Sequence, residues 1–274
     1  MIGRKFAVLT MSLLTAGFAG AGPFFFTTGA PDGLMGAASR PTGSGVEIEA
    51  ADDFLLTSPT LITSATFTGL LPTGASLSSI MGVTIEIYRV FPNDSTNPPS
   101  GNVPTRVNSP SDVEFDDRSS GAANMTFGAS LLNSTFTTAN SVLNGINKIP
   151  NQFTGGEGAV RGEEVQFNVT FTTPFNLPAN HYFFVPQVQL SNGNFYWLSA
   201  PDPNTVNPFS PDLQAWIRNG NLAPDWLRIG TDITHQGPFN MSFSLSGTTL
   251  PEPSTFVMLG LALSAMGLLR RFRS

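Results

Sequence analysis

The chain has 274 residues, 41% apolar and 12% charged, about half the charged share of an average globular protein. Its 27 Gly and 22 Pro argue against a helical bundle, while 23 Phe offer more burial than a disordered chain carries. Zero Cys excludes a disulfide scaffold, a thiol nucleophile and a thiolate metal site.

Charge is uneven along the chain. With Arg4, Lys5, Glu252, Arg270, Arg271 and Arg273 set aside, 8 basic and 18 acidic residues remain, a balance of about −10. Such a middle disfavours nucleic acid or anionic lipid as partner. At the front, Arg4 and Lys5 precede an apolar run from Phe6 to Ala19, followed by Ala19-Gly20-Ala21. A basic segment, an apolar segment and small residues at −3 and −1 read as a signal peptide, residues 1–21, cut after Ala21. Residues 22–45, rich in turn formers and without periodicity, read as a loose N-terminal arm.

From residue 46 to 250, alternation dominates. Val83, Ile85 and Ile87 alternate with Thr84 and Glu86; Val165, Phe167, Val169 and Phe171 alternate with Gln166, Asn168 and Thr170. Met241, Phe243 and Leu245 alternate with Asn240, Ser242 and Ser244. Each run predicts a strand with one buried face and one wet face of hydroxyls and amides. Leu61–Leu71 and Tyr182–Leu190 predict two more, the second at an edge or bulge because of Pro186. Asn192-Gly193, between two apolar runs, is the strongest hairpin signal. The expected fold is all-β: a single antiparallel β-sandwich, jelly-roll-like, built as one domain.

Motifs for chemistry are sparse. His181 and His235 lie far apart in a chain with no H-E-x-x-H pattern, and no cofactor is expected. Asp112, Glu114 and Asp116 would share one face at strand spacing, a weak calcium candidate and no other metal site. Nucleotide motifs and the G-x-S-x-G elbow do not occur, so the reading is a protein without catalytic residues. Trp197, Trp216 and Trp226 stand among Asn, Gln and Asp side chains and read either as large rings filling the sandwich core or as sugar-stacking residues, with Trp226 the first candidate for exposure.

The end of the chain is the most specific part. Pro251-Glu252-Pro253 cannot join a following helix, and the apolar run Phe256–Leu269 covers about 21 Å at 1.5 Å per residue. That is a short transmembrane span, the terminal arginines Arg270, Arg271 and Arg273 snorkelling toward the cytoplasmic side. Residues 251–274 resemble the PEP-CTERM sorting signal of exopolysaccharide-producing Gram-negative bacteria. The resemblance implies that Pro251, Glu252 and Pro253 are recognised by an exosortase, an integral-membrane processing enzyme, with the arginine cluster as retention signal. It implies a transient stay at the inner membrane, then delivery to the cell surface or the extracellular matrix. There the expected role is structural or adhesive, with exopolysaccharide as partner. A carbohydrate-binding module with a defined glycan is the alternative, and a secreted glycan hydrolase the third reading.

Overall fold

Where apolar residues alternate, the chain is extended. The computed structural model describes residues 21–43, 45–97, 100–147, 153–251 and 260, and the following concerns the unit Gly22–Thr249. Its strands are β1 (Pro23–Thr27), β2 (Met35–Ala38), β3 (Ile48–Leu56), β4 (Thr60–Pro72), β5 (Ile80–Arg89) and β6 (Asp116–Ser119). After these come β7 (Met125–Thr138), β8 (Asn140–Val142), β9 (Val160–Leu177), β10 (Asn180–Leu190) and β11 (Tyr196–Ala200). The last four are β12 (Trp216–Asn219), β13 (Leu227–Arg228), β14 (Asn240–Met241) and β15 (Phe243–Thr249).

Two sheets form. The nine-stranded sheet runs β1-β15-β4-β11-β2-β8, with β9 on the opposite side of β4, β7 outside β9 and β14 beside β11. The six-stranded sheet runs β13-β12-β3-β10-β5-β6. Pairing is antiparallel except between β2 and β8. The predicted inward residues Val83, Ile85, Ile87, Val165, Phe167, Val169, Met241, Phe243 and Leu245 are all buried in one core shared by both sheets. Phe184 of β10 crosses that core to stack on Phe243 at 5.0 Å and to meet Phe67 at 6.4 Å. Phe67 itself stacks on Phe167 at 4.7 Å, worth about 0.5–1.5 kcal/mol beyond the area buried. At Gly69 a Cβ would lie 2.1 Å from the Phe195 ring and 2.6 Å from the Tyr196 carbonyl. Only glycine lets β11 approach β4 there.

Four expectations need correction. Residues 22–45 are not a loose arm: β1 pairs with β15, β2 pairs with β11, and Phe26, Met35, Ala37 and Ala38 are buried. Their turn-rich flanks conceal two strands too short to show a period. Asn192-Gly193 does not close a hairpin, because β10 and β11 belong to different sheets. The glycine, at φ 81°, instead turns the chain from one sheet to the other, and Phe195 is buried just after the arch. Pro186 lies in a strand that is interior over Asn180–Phe184 but pairs with β5 alone at Pro186, with a register shift at Gln189–Leu190, so the edge-or-bulge reading holds locally and not for the whole strand. Its carbonyl accepts from Ser39 Oγ at 2.6 Å, so its nitrogen faces the side where β3 has separated from β10 and no ladder donor is required. The fourth concerns Asp112, Glu114 and Asp116, which do not share a strand face, since β6 begins only at Asp116.

The leader through Gly20, and with it Ala19 of the cleavage pattern, lies outside the described residues, as do Glu252, Pro253, Arg270, Arg271 and Arg273. Ala21 is exposed and Pro251 half-buried. Among the described residues no helix is long and apolar enough to cross a membrane.

Removing a ring from the shared core tests its weight. Phe67→Ala is expected to destabilise the fold by about 3–5 kcal/mol in urea unfolding, and Thr170→Ala, on the opposite face of the same strand pair, by less than about 0.5 kcal/mol. Comparable losses from both would contradict the assigned facing.

Candidate functional site

The outward face of the nine-stranded sheet is built by register. Inward Phe67, Phe167 and Phe243 force their neighbours outward, because successive strand residues point to opposite faces. Cross-strand pairing then lines those neighbours up. One row contains Phe25, Ser246, Ser64, Thr170 and Thr126. The next contains Thr27, Ser244, Thr66, Asn168 and Gly128. A third contains Ser242, Thr68, Gln166 and Ser130, with the Thr68 N–H donating to the Ser242 carbonyl at 3.3 Å. Every position except Phe25 and Gly128 carries a hydroxyl or an amide, and none carries a charge.

Over this face lies a groove of about 320 Å³. Thr27, Thr66, Thr68, Gln166, Ser242 and Ser244 are among its polar lining, and Phe25, Ala30, Pro31 and Leu132 supply apolar walls. Phe25 and Leu132 are 62% and 53% exposed. The Thr66 and Ser244 hydroxyls are 2.6 Å apart, so each is already oriented by the other. Short side chains fixed to a sheet lose little entropy on contact, and hydroxyls and amides both donate and accept. Thr68 and Ser242 are buried, and the Thr27 and Ser242 hydroxyls already donate to the Phe243 and Gly29 carbonyls. It is therefore the exposed and half-buried positions, Asn168, Thr170, Gln166 and the Thr66–Ser244 pair among them, that can hydrogen-bond a polyhydroxylated ligand while the apolar walls cover carbon-bound hydrogens. The groove lining contains no titratable group with which to do acid–base chemistry; Glu164 stands one row beyond it on β9.

Ionisable residues are gathered elsewhere, on the outward face of the six-stranded sheet beneath the segment joining β5 to β6. Trp226 there donates to the Ser111 carbonyl at 3.2 Å, and Ser111 donates through its N–H to the Arg89 carbonyl at 2.8 Å. Arg218 forms a bidentate pair with Glu49 and lies over the rings of Trp226 and Tyr88 at 4.4 and 5.1 Å. The Tyr88 hydroxyl is 2.7 Å from Glu49 Oε1 and 3.1 Å from Glu86 Oε2. One hydroxyl proton cannot serve both, so a protonated Glu86 supplies the second. Burial and the nearby Glu49 charge push the Glu86 carboxyl up to about 9. Burial similarly raises Asp53 to about 6, although His181 Nε2, at 2.5 Å, works against that rise.

The residues singled out in the sequence are distributed differently from expectation. Trp197, Trp216 and Trp226 are at most 1% exposed, and their indole N–H groups donate to the carbonyls of Ser242, Leu213 and Ser111. None offers a ring to solvent, so the glycan contact expected of them, and of Trp226 first, is corrected. Large rings fill space best where polar backbone can also satisfy their N–H. Asp112 is buried against Arg106 and accepts from the N–H groups of Thr96 and Asn97, while Asp116 pairs with Arg118 at 2.6 Å. Glu114 is exposed. Among the described residues no three His, Asp or Glu side chains stand together so as to hold a metal ion. His181 is paired with Asp53, and His235 is exposed at φ 59°.

The outward rows were half visible in the sequence, which shows hydroxyls and amides between apolar residues of β9 and β15. Their juxtaposition depends on strand order, which periodicity does not encode. No family model, curated protein or solved structure matches this chain.

The buried carboxyl gives a pH test. Glu86 keeps its proton in the folded state up to about 9 but loses it near 4.5 in an unfolded chain. The folded state binds more protons across that window, so stability falls as pH rises through it. Glu86→Gln is expected to make the decline in urea midpoint between about pH 5 and about pH 8.5 shallower, leaving the contributions of Asp53 and of Asp52, whose carboxyl is also raised by burial. An unchanged slope in the variant would contradict the protonated assignment.

Proposed function

We propose that this chain is an exported protein of the cell surface or extracellular matrix whose jelly-roll-like sandwich adheres to polysaccharide through the outward face of the nine-stranded sheet. The observation that carries the reading is the uncharged array of hydroxyls and amides, grooved and walled by exposed Phe25 and Leu132. Sugars present the same two chemistries, hydroxyls that donate and accept and apolar ring faces. A groove without titratable side chains supports adhesion over hydrolysis. The chain's buried acids are instead engaged with arginines, a tyrosine, a histidine and backbone N–H groups.

In this reading residues 1–21 direct export and are removed after Ala21. The tail from Pro251, with its PEP-CTERM resemblance, retains the protein at the inner membrane until an exosortase-type enzyme cuts it. Support for that route is the order of proline motif, apolar run and arginines along the sequence.

Two experiments test the halves of the proposal separately. In affinity electrophoresis against neutral polysaccharides, Phe25→Ala and Gln166→Ala should each weaken retardation about three- to tenfold, the scale of one lost contact. Trp226→Phe should leave it unchanged. Full retardation by both face variants would refute the assigned surface. For the route, replacing Pro251, Glu252 and Pro253 by Ala should leave uncut protein in the inner membrane. Mature surface protein that still carries Arg270–Arg273 in mass spectrometry would refute processing.

A further inference from the structure

Sheet edges invite pairing because each exposes a row of unbonded N–H and C=O groups. In this protein nearly every edge is closed. At β1 the carbonyls of Phe25 and Thr27 accept from the side-chain amides of Asn207 and Asn204, at 3.4 and 3.0 Å. Beyond the three residues of β8, the Glu157 carboxylate accepts from the N–H groups of Leu143, Asn144 and Gly145. In the six-stranded sheet, β13 has two residues, and β6 has four, with Asp116, Asp117 and Arg118 among them. Shortness, charge and side-chain caps are the usual protections.

The exception is β7. It has 14 residues, with neither a charge nor a proline, and among the described residues it pairs with β9 alone. From Met125 to Leu131 its register with β9 is unbroken, and shifts begin only after Leu131. This half is therefore a regular template. A Cβ built on Gly128 would meet nothing within 4 Å, and Leu131 is 48% exposed.

We propose that the free edge of β7 pairs antiparallel with β7 of a second copy of this chain, joining two nine-stranded sheets about a two-fold axis. A second copy fits because an isologous contact needs a self-complementary patch, and an uncharged strand is one even in a chain of net charge −6. A like-charged strand would repel its own copy across the axis. Antiparallel pairing keeps the pleats in phase, so the outward rows ending at Thr126, Gly128 and Ser130 run on into the partner's rows. The neutral face doubles in width, and two linked faces bind a repetitive polymer with avidity. The pairing itself does not depend on what that face binds.

The cysteine-free chain makes the test direct. Single substitutions Thr126→Cys, Gly128→Cys and Ser130→Cys in the full chain, purified in detergent, carry a spin label each, and Thr248→Cys serves as the control away from this edge. Neighbouring strands are about 4.8 Å apart, so at least one β7 label should show strong dipolar broadening that dilution with unlabelled chain removes. The control label should show none. Sedimentation should give a dimer, and the Gly128→Lys/Ser130→Lys variant should weaken association more than about tenfold while keeping its circular dichroism. A monomer across the concentration series, open-ended aggregates, or broadening only at Thr248 would each overturn the proposal. If the lysine variant does not fold, the wild-type sedimentation and the label pattern still decide it.

Discussion

The register between β4 and β9 is the constraint from which the rest follows. With Phe67 opposite Phe167, the two rings stack in the core and Thr66 and Asn168 are turned outward together. A slip of one residue would exchange the faces, placing hydroxyls between the sheets and phenyl rings in water. Burying unpaired hydroxyls and exposing Phe67, Phe167 and Val169 would cost several kcal/mol, comparable to the whole stability of a domain. Core packing therefore fixes the outward array as well. The neutral face is the other side of the hydrophobic pattern.

Packing also explains where the charges went. Arg218, Glu49, Tyr88 and Glu86 interlock on the outward face of the six-stranded sheet, under the segment between β5 and β6, and Arg106 pairs nearby with Asp112 and Asp225. Removing one member would leave another charge buried and uncompensated, which makes the cover hard to lift. The two outward faces thus divide the work. One is sealed by ionic contacts and carries a second, smaller core with Trp216 and Trp226, and the other carries a groove whose lining is uncharged.

Much of this was legible in the sequence where alternation was strict. Residues 83–87, 165–171 and 241–245 announced their buried sides, and the run Leu61–Leu71 falls within β4. β3 was not visible, because Ala50-Ala51-Asp52-Asp53 lacks apolar contrast. Yet Asp52 is buried there and accepts from the Met241 N–H of the other sheet at 2.8 Å. β1 was read as part of a loose arm, and Trp226 as loop-proximal because polar neighbours surround it in sequence. In each case the deciding partner lies far along the chain, as Trp226 does from Ser111 or Phe26 from Phe243. Composition describes a strand's own two faces but not which strand lies beside it.

The most direct test of the account is amide hydrogen exchange of the full chain with and without a neutral polysaccharide that retards it. Slowed exchange confined to segments 23–31, 60–72, 125–132, 162–171 and 240–249 is the predicted result. Protection centred on residues 90–115 and 213–228, around the buried tryptophans, would contradict it.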